Sequence, residues 1–321
     1  MKNIISLVDE KNYAEVMQRK IEPFLAEIRT DGYFSSFDGN NIHYEAHTID
    51  DAKGTVVIVH GFTEFAEKFR EMAYYFVKNG YNTFALDNRG HGHSYRMKGS
   101  METVRVNKFS DYIDDLDNFV NKIVKPHNDN LPLYVFSHSM GGGITARYIQ
   151  VHNDTFSKAI LSAPMICAQT GAPVPFAKAV MGFANLFGLK NVSVPGMCKF
   201  NPNATYKNSS DTCEERYEYF LSKRKNNECY RTAGPSFGWV NEALKVTDQL
   251  LDDNNCKNIT AKVLIFQPES DNRVISSYQN TFADKLSDAQ LVYVTGSKHE
   301  IFGTTNDVLQ GYIDKIIDFL G

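Results

Sequence analysis

The chain has 321 residues, of which 42% are hydrophobic and 22% are charged, and its formal net charge at pH 7 is −4. These values are typical of a globular chain with one large domain or two smaller ones. Because the Lys and Arg residues are dispersed along the chain, we do not expect it to bind nucleic acid. The five cysteines lack C-x-x-C spacing, which favours reduced thiols in a cytoplasmic protein over a disulfide framework or a zinc site.

The N-terminal segment contains a short apolar run, residues 4–8, which ends at Asp9-Glu10-Lys11. That run is too short for the hydrophobic region of a signal peptide, and no run in the sequence approaches the length of a membrane span. Apolar residues between positions 10 and 29 recur with helical spacing. We therefore expect residues 1–30 to form a helical extension outside the main domain.

A β-hairpin and then a regular alternation of strands and helices follow this extension. Segments 32–37 and 41–47 flank Asp38-Gly39-Asn40, which favours a tight turn because glycine accepts positive φ. Further strands are predicted at 55–60, 81–86, 133–138, 158–162, 263–267 and 291–295, with helices at 64–78, 109–124, 276–286 and 308–320.

This alternation is typical of a mostly parallel sheet that is covered by helices on both faces. In such a sheet, ligands bind at the carboxyl ends of the strands. The polar and glycine-rich motifs of the chain follow its strands directly. We therefore expect the functional residues to meet at that edge of the sheet.

Ser139 lies between the strand at 133–138 and a helical pattern that begins with three glycines after Met140. A serine on such a sharp turn has a strained backbone, so only small residues fit two positions before and after it. The N-terminus of the following helix favours negative charge that develops at the serine. Ser137 stands where the usual pattern, G-x-S-x-G, has its first glycine. The context favours a nucleophile over an ordinary turn serine.

The alternation stops between residues 164 and 260, which show no clear strand pattern and are too many for a simple connection. Residues 174–189 are apolar almost all round the predicted helix. The later segments, 203–223 and 233–250, are amphipathic, and the second contains Trp239. We expect these residues to form a separate layer rather than part of the sheet.

Five motifs follow predicted strands in a fixed order: Val59–Glu64, Asp87–Ser94, Ser137–Gly142, Asp271 and Gly296–Glu300. In this order they resemble the α/β-hydrolase superfamily. Within it, residues 30–321 are similar to the branch of lysophospholipases and monoacylglycerol lipases, which is related to the serine aminopeptidases.

The resemblance implies the α/β-hydrolase fold, with a mostly parallel eight-stranded sheet, helices on both faces and a helical cap inserted after the sixth core strand. The core then comprises residues 31–163 and 261–321, and the cap comprises residues 164–260. It also implies that the enzyme needs no metal and no organic cofactor.

The chain order Ser, Asp, His is that of the α/β-hydrolase catalytic triad. We assign Ser139 as the nucleophile and His299 as the general base, which later acts as acid toward the leaving group. Asp271 is expected to fix the tautomer of His299 and to stabilise its charged form. Glu269, on the same loop, is the alternative to Asp271.

Two backbone N–H groups are expected to bind the oxyanion of the tetrahedral intermediate. One belongs to Met140, the residue after the nucleophile, and the other to Phe62, in the loop after the first central strand. The side chain of Phe62 either faces the acyl pocket or belongs to the core. His60 is expected to support this loop with internal hydrogen bonds and not to act as the base.

The histidines in Asp87–Ser94 invite a metal-site interpretation, but the resemblance implies a structural loop, with Asp87 and Arg89 as structural residues. Neither a zinc-binding H-E-x-x-H motif nor a cysteine–histidine cluster is present. Gly141-Gly142-Gly143 also lacks the Lys-Ser/Thr that would follow in a phosphate-binding loop.

The cap is expected to determine the substrate. Residues 174–189 either contact a lipid surface and line an acyl channel or lie buried between cap and core. With the resemblance, we predict hydrolysis of a single-chain lipid ester, a lysophospholipid or a monoacylglycerol, with transient contact between the cap and the membrane surface. Substrate-binding side chains are predicted at Phe62, Phe176, Met181, Phe183 and Trp239.

Three alternatives remain open. The first is a serine aminopeptidase, in which cap carboxylates such as Glu214, Glu215 and Glu218 would bind the substrate ammonium, although a solvated helix face explains them as well. The second is an esterase that acts on non-lipid esters. The third is a non-catalytic binding protein on the same scaffold; such proteins usually lose a triad residue, and this chain retains all three.

Overall fold

The fold is built around a large β-sheet, which the computed structural model describes within residues 6–321. The strands of the described chain are β1 (Arg29–Ser35), β2 (Asn41–His47), β3 (Gly54–Val59), β4 (Tyr81–Leu86), β5 (Thr103–Val104), β6 (Leu133–His138), β7 (Lys158–Ser162), β8 (Gly234–Pro235), β9 (Lys262–Pro268) and β10 (Ala289–Val294).

Eight of these strands form the central sheet in the order β1-β2-β4-β3-β6-β7-β9-β10. Strand β2 is antiparallel to both of its neighbours, and all other neighbouring pairs are parallel. The predicted mostly parallel, eight-stranded sheet is therefore confirmed. The predicted hairpin is also confirmed, although β1 begins at Arg29, three residues before the predicted start at Gly32.

Helices cover both faces of the sheet. The α-helices of the described chain are α1 (Tyr13–Val16), α2 (Glu22–Glu27), α3 (Arg70–Lys78), α4 (Ser110–Phe119), α5 (Met140–Val151), α6 (Val174–Leu186), α7 (Glu214–Asn226), α8 (Phe237–Leu250), α9 (Asp253–Lys257), α10 (Ser276–Asp284) and α11 (Asn306–Leu320).

Two hydrophobic clusters lie on opposite faces of the sheet. Side chains alternate along a strand, so Val57 of β3 belongs to the cluster with α4, α5 and α8, whereas Val56 belongs to the cluster with α3 and α11. Strands β3, β4 and β6 are buried along their whole length. This two-sided burial explains why their sequences are nearly continuous apolar runs.

The N-terminal helix predicted between residues 10 and 29 is present in the form of consecutive turns from Glu10 to Glu27, with a π-helical turn at Met17–Ile21 between α1 and α2. Its buried side chains, such as Met17 and Leu25, join the cluster with α3. The first five residues of the predicted extension lie outside the described residues.

Helices α6, α7 and α8 all lie between β7 and β9, within the segment predicted as a cap. The amphipathic segment predicted from residue 203 becomes α-helical only at Glu214, after a short 3-10 turn at Tyr206–Asn208. The sequence did not reveal the pairing of β5 with β8, which joins the loop after β4 to this segment. Within residues 6–321, no helix combines the length and hydropathy that a bilayer crossing requires.

Candidate active site

Ser139 lies on the turn between β6 and α5, with φ 52° and ψ −116°. Residues with a Cβ rarely adopt this conformation, and it costs about 1–3 kcal/mol. Three backbone hydrogen bonds hold it: the Ser139 N–H donates to the carbonyl of Ser162 at 3.0 Å, and its own carbonyl accepts from the N–H groups of Gly143 (3.1 Å) and Met165 (2.8 Å).

Close packing explains the small residues around this turn. A Cβ at Gly141 would lie 2.1 Å from the carbonyl oxygen of Val59, so no other residue fits there without a shift of β3. Ser137, which replaces the first glycine of the pattern, is fully buried, and its hydroxyl donates to the carbonyl of Ile160 at 3.3 Å. The departure from the usual glycine is therefore accommodated by a hydrogen bond to β7.

The structure brings the three predicted triad residues together. The Nε2 atom of His299 lies 2.8 Å from Oγ of Ser139, and its Nδ1 atom lies 2.7 Å from Oδ2 of Asp271. The other oxygen of Asp271 accepts from the N–H groups of Arg273 (2.7 Å) and Val274 (3.0 Å), which orients the carboxylate. Asp271 and His299 lie on the loops after β9 and β10, at the same edge of the sheet as Ser139.

Glu269, the alternative acid, lies elsewhere on the same loop. Its carboxylate accepts from the N–H of Gly296 at 2.6 Å, at the start of the turn that leads to His299. Among the described contacts, the imidazole of His299 meets the carboxylate of Asp271 and not that of Glu269.

The electrostatics of the three groups suit proton transfer. Burial lowers the pKa of His299 and outweighs the hydrogen bond to Asp271, so the imidazole is neutral at neutral pH. Burial acts to raise the pKa of Asp271, but the hydrogen bond with His299 and the backbone N–H donors hold that pKa below its usual value. A neutral imidazole next to an ionised carboxylate is the state that a general base requires.

Of the two predicted oxyanion donors, Met140 follows Ser139 in the chain, and Phe62 follows Gly61 in the loop after β3. Within residues 6–321, neither the N–H of Phe62 nor that of Met140 donates to a protein acceptor. A Cβ at Gly61 would lie 3.0 Å from Cβ of Ser139, which shows how closely the loop after β3 approaches the nucleophile. The N–H groups of Phe62 and Met140 are therefore free to donate to another partner within the described chain, and their role as oxyanion donors stays a prediction.

His60 is held inside the loop after β3 by hydrogen bonds. Its Nε2 atom accepts from the N–H of Asn88 at 2.9 Å, so its Nδ1 carries the proton and donates to the carbonyl of Gly61 at 2.7 Å. The side-chain amide of Asn88 donates back to the carbonyl of His60 at 2.9 Å. The supporting role predicted for His60 is confirmed by these contacts.

Asp87 and Arg89 belong to buried hydrogen-bond networks. Asp87 accepts from the N–H groups of Ala66 (2.7 Å) and His93 (2.9 Å), and Arg89 forms a two-pronged ion pair with Asp115 at 2.6 Å. Within the described chain, no group of three or more His, Cys, Asp or Glu side chains is arranged to hold a metal ion.

The five predicted substrate-binding side chains do not form one group. Phe62 and Trp239 pack together, with ring centroids 4.2 Å apart, and Trp239 is buried and donates to the hydroxyl of Tyr112 at 3.1 Å. Met181 is half-buried on α6. Phe176 and Phe183 are 64% and 62% exposed, so the structure places them on the solvent-exposed side of α6.

Both phenylalanines are therefore open to solvent in the structure, and their role in substrate binding stays a prediction. Helix α6 turns its small residues Ala177 and Ala184 inward against α8 and its large side chains outward. Because residues 174–189 are nearly all apolar, the sequence does not indicate which face of the helix is buried.

Sequence reasoning also missed a buried cluster of charged side chains beside the triad. His138, Glu64, Lys68 and Glu300 form a chain of contacts that reaches the carbonyl of His299. The available signal was the i, i+4 spacing of Glu64 and Lys68 next to the loop that contains the predicted oxyanion donor Phe62.

The profile of the serine aminopeptidase S33 family of hydrolases matches residues 50–306, which is most of the chain. The chain belongs to this family. The match includes the loop after β3, the turn at Ser139, residues 164–260 and the loops that contain Asp271 and His299. The resemblance to the α/β-hydrolases that the motifs indicated is thereby confirmed.

Relatives of this S33 hydrolase include a lysophospholipase and a monoacylglycerol lipase. Lysophospholipase L2 of Escherichia coli is 24% identical over 299 residues, which cover 91% of this chain and 87% of that protein. Monoacylglycerol lipase of Mycolicibacterium smegmatis is 33% identical over 148 residues, which cover 46% of this chain and 51% of that protein.

Among solved structures, a soluble variant of the monoglyceride lipase of Saccharomyces cerevisiae, in complex with a substrate analogue, superposes with a TM-score of 0.69. The sequence identity is 21%, and the alignment covers 91% of this chain and 96% of that one. At this identity the likeness shows the shared α/β-hydrolase fold.

Proposed function

We propose that this S33 hydrolase is a serine esterase that cleaves the carboxylic ester of single-chain lipids, a lysophospholipid or a monoacylglycerol. One observation carries the proposal: Oγ of Ser139 lies 2.8 Å from Nε2 of His299, whose Nδ1 lies 2.7 Å from the carboxylate of Asp271. A hydroxyl, a neutral imidazole and a carboxylate in this order are the parts that acyl transfer needs.

In the first half of the reaction, Oγ of Ser139 attacks the ester carbonyl carbon while its proton moves to Nε2 of His299. The carbonyl oxygen becomes an oxyanion and accepts hydrogen bonds from the N–H groups of Phe62 and Met140. Each such donor contributes about 10²- to 10³-fold to the rate. The C–O bond of the leaving group then breaks, and the alcohol departs with the proton from His299.

In the second half, the acyl group is an ester of Ser139, and His299 takes a proton from water. The resulting attack on the acyl carbon forms a second oxyanion in the same pair of N–H groups. Collapse releases the fatty acid, and the proton on His299 returns to Oγ of Ser139. Asp271 keeps the imidazole oriented in both halves and stabilises its positive charge.

The choice of a lipid ester is supported by the cap and by the relatives. We infer that residues 164–260 form the cap over the core of 31–163 and 261–321, with 1–30 as the extension. The named relatives act on lysophospholipids and monoacylglycerols. Five side chains on the outer side of α6 and just after it are exposed and apolar: Phe176, Val180, Phe183, Leu186 and Phe187.

We call these five side chains the apolar face of α6 and infer that it touches the membrane surface when substrate is drawn from it. A helix with one strongly apolar face lies in the interface between water and acyl chains. The protein would then be cytoplasmic, as its cysteine content predicts, and would meet the membrane only transiently.

The test is a panel of esters with varied acyl length and headgroup, with Ser139→Ala as the blank. We expect turnover of monoacylglycerols or lysophospholipids and of short soluble esters, and a fall of about 10⁶-fold in kcat for Ser139→Ala. A lipid panel with no turnover above the blank, together with rapid cleavage of short esters, would leave a non-lipid carboxylesterase as the function.

An aminopeptidase is the second candidate, because the family carries that name. The carboxylates considered for it, Glu214, Glu215 and Glu218, are exposed on α7 and line a groove with the N-terminal helix, among residues such as Lys11. None of the triad residues lines that groove. Faster cleavage of an aminoacyl amide than of a medium-chain ester would overturn the esterase proposal.

A simpler experiment tests the alternative of a non-catalytic binding protein. A fluorophosphonate reacts with an activated serine, so the wild type should be labelled at Ser139 and Ser139→Ala should not. Absence of labelling in the folded wild type would favour a binding protein.

A further inference from the structure

A buried network of charged side chains lies directly behind the triad. Glu64, Lys68 and His138 have side chains that are at most 6% exposed. One oxygen of Glu64 accepts from Nζ of Lys68 at 2.8 Å, and the other lies 2.9 Å from Nδ1 of His138. Lys68 also donates to the carboxylate of Glu300. Charges that are buried this deeply destabilise the fold unless they are paired, so their arrangement is specific.

Three residues of the network, Glu64, His138 and Glu300, are hydrogen-bonded or adjacent in the chain to segments that contain groups of the proposed mechanism. Glu64 accepts from the N–H of Gly61, the residue before the oxyanion donor Phe62. His138 precedes Ser139 in the chain, and Glu300 follows His299. A single carboxylate, that of Glu64, therefore connects the three segments that must be held in register for catalysis.

The contacts of His138 fix its protonation state. Its Nδ1 atom faces the carboxylate of Glu64, and its Nε2 atom faces the backbone carbonyl of His299 at 3.2 Å. Both partners are acceptors, so both ring nitrogens must carry a proton, and a neutral imidazole has only one. Burial acts to lower the pKa of His138, but the charge of Glu64 outweighs it and holds that pKa above its usual value.

We propose that Glu64 is a positioning residue that fixes the nucleophile, oxyanion and histidine segments through Lys68 and His138, and that the positive charge of His138 opposes protonation of His299. The ring centroids of the two imidazoles lie 4.9 Å apart, so the charges would interact strongly. This inference rests on the proposed function, in which His299 must be neutral to act as the base.

Other charged groups face the two imidazoles, and they set the size of the effect. His138 is faced by Glu64 and Glu300, which favour its charge, and by Lys68, which opposes it. His299 is faced by Asp271 and Glu300, which favour protonation, and by His138, which opposes it. Asp211 contacts the same cluster beside Glu300 and Lys68, and burial together with Glu300 raises its pKa well above the usual value.

The experiment measures the rate of fluorophosphonate labelling at Ser139 against pH, in the full-length protein. This readout reports the protonation of His299 and needs no knowledge of the natural substrate. The variants are His138→Gln and Glu64→Gln, each checked for folding by thermal unfolding. Glu67→Gln is the matched control, because Glu67 is a largely buried carboxylate near Glu64 that bonds to Lys223 and Tyr230 and not to His138.

In His138→Gln we expect the pH midpoint at which the labelling rate falls on the acid side to move upward by about 0.5–1 pH unit. The reason is that a positive charge near His299 is lost. The plateau rate should fall about 10- to 100-fold, because the segments lose their register. Glu64→Gln should move the midpoint in the same direction by a smaller amount, and the double variant should match His138→Gln. Glu67→Gln should leave the midpoint where it is in the wild type.

Either variant is sufficient if the other does not fold. A midpoint that stays at the wild-type pH in a folded variant, with or without a lower plateau, would overturn the electrostatic role of His138. A plateau rate that stays at the wild-type value, whether or not the midpoint moves, would overturn the positioning role of Glu64. If the wild type itself is not labelled, the proposed function fails instead, so the two failures are distinguishable.

Discussion

Ser139 shows how a single residue stores strain for function. Its backbone lies at φ 52° and ψ −116°, a region that glycine tolerates far better than residues with a Cβ. The hydrogen bonds to Ser162, Gly143 and Met165 hold it there, at a cost to stability. The strain places the hydroxyl at the start of α5, within reach of His299.

This strain predicts an unusual effect of two substitutions. Ser139→Gly and Ser139→Ala both remove the hydroxyl, but only alanine retains the Cβ that the backbone disfavours. We expect the glycine variant to be more stable by about 1 kcal/mol, since relief of strain exceeds the entropic cost of glycine. Urea denaturation of both variants measures the difference, and an alanine variant that is equally or more stable would contradict it.

The protonation of His299 predicts the pH dependence of the reaction. Its pKa lies below the usual value of about 6.5, chiefly because the imidazole is buried. The base is therefore neutral above that pKa, and kcat/KM should fall as the pH drops through it. We expect full activity at pH 7 and a decline that begins below about pH 6.5. A kcat/KM that is constant between pH 5 and 8 would argue against His299 as the base.

At the scale of single residues, the sequence was informative about candidate functional residues that directly follow a strand. Ser139, Asp271 and His299 each come just after an apolar run, and parallel strands end at one edge, so their meeting was predictable. The partnership of Glu64 with His138 was not, because the two are 74 residues apart and the motifs that contain them do not indicate that their side chains meet. Burial of a charged pair appears only when the chain is folded.

Helices α6 and α7, in the segment predicted as a cap, are attached to the rest of the protein in two different ways. Arg216 of α7 is 5% exposed and forms a two-pronged ion pair with Glu71 of α3 at 2.8 and 3.1 Å. It also donates to the carbonyl of Thr304 at 2.8 Å. Helix α6, in contrast, buries two alanines against α8, and its ion pair, Lys178 with Asp248, is partly exposed.

This difference predicts unequal effects of removing a cation. Arg216→Ala leaves the carboxylate of Glu71 buried without its ion-pair partner and should lower the free energy of unfolding by about 3–5 kcal/mol. Lys178→Ala, the matched control on α6, breaks a solvated pair and should change it by at most about 1 kcal/mol. Urea denaturation measures both, and similar values would contradict the two modes of attachment.

The sequence predicted the strands of the sheet better than the structure of the segment between β7 and β9. Strand β4 lies where its pattern placed it, because a buried parallel strand needs a short continuous apolar run. In the segment between β7 and β9, residues 203–213 were grouped with the helix that begins at Glu214. They are held instead by tertiary contacts, such as that of the Thr212 N–H with the carbonyl of Gly303 at 3.1 Å, which leave no periodic trace.

At the scale of the whole molecule, the apolar face of α6 is the exposed surface for which we propose a partner. Phe183, Leu186 and Phe187 are 62%, 79% and 74% exposed and lie on adjacent turns. A contiguous patch of this kind on a protein surface marks an interaction site. The proposed lipid substrate supplies the chemistry of the partner, since its acyl chains are held in membranes or micelles.

A double substitution tests this contact. In Phe183→Ser with Phe187→Ser we expect binding to phospholipid vesicles to weaken at least about 10-fold, because each buried aromatic ring contributes about 1.5–3 kcal/mol. Cleavage of a soluble short ester should be unchanged. The control is Tyr293→Ser on the edge strand β10, where the ring is 56% exposed. Equal vesicle binding by wild type and double variant would contradict the contact.

The shallow seating of α6 on two alanines has a consequence for evolution and for engineering. A segment that rests on small side chains can be exchanged for a helix of different outer chemistry while the triad, the strands and the buried ion pairs stay as they are. If α6 contacts the substrate as proposed, we expect preference for a headgroup or chain length to differ between relatives at this short stretch. A chimera that carries a foreign helix in place of residues 174–186 should therefore fold as the parent does and differ in what it accepts.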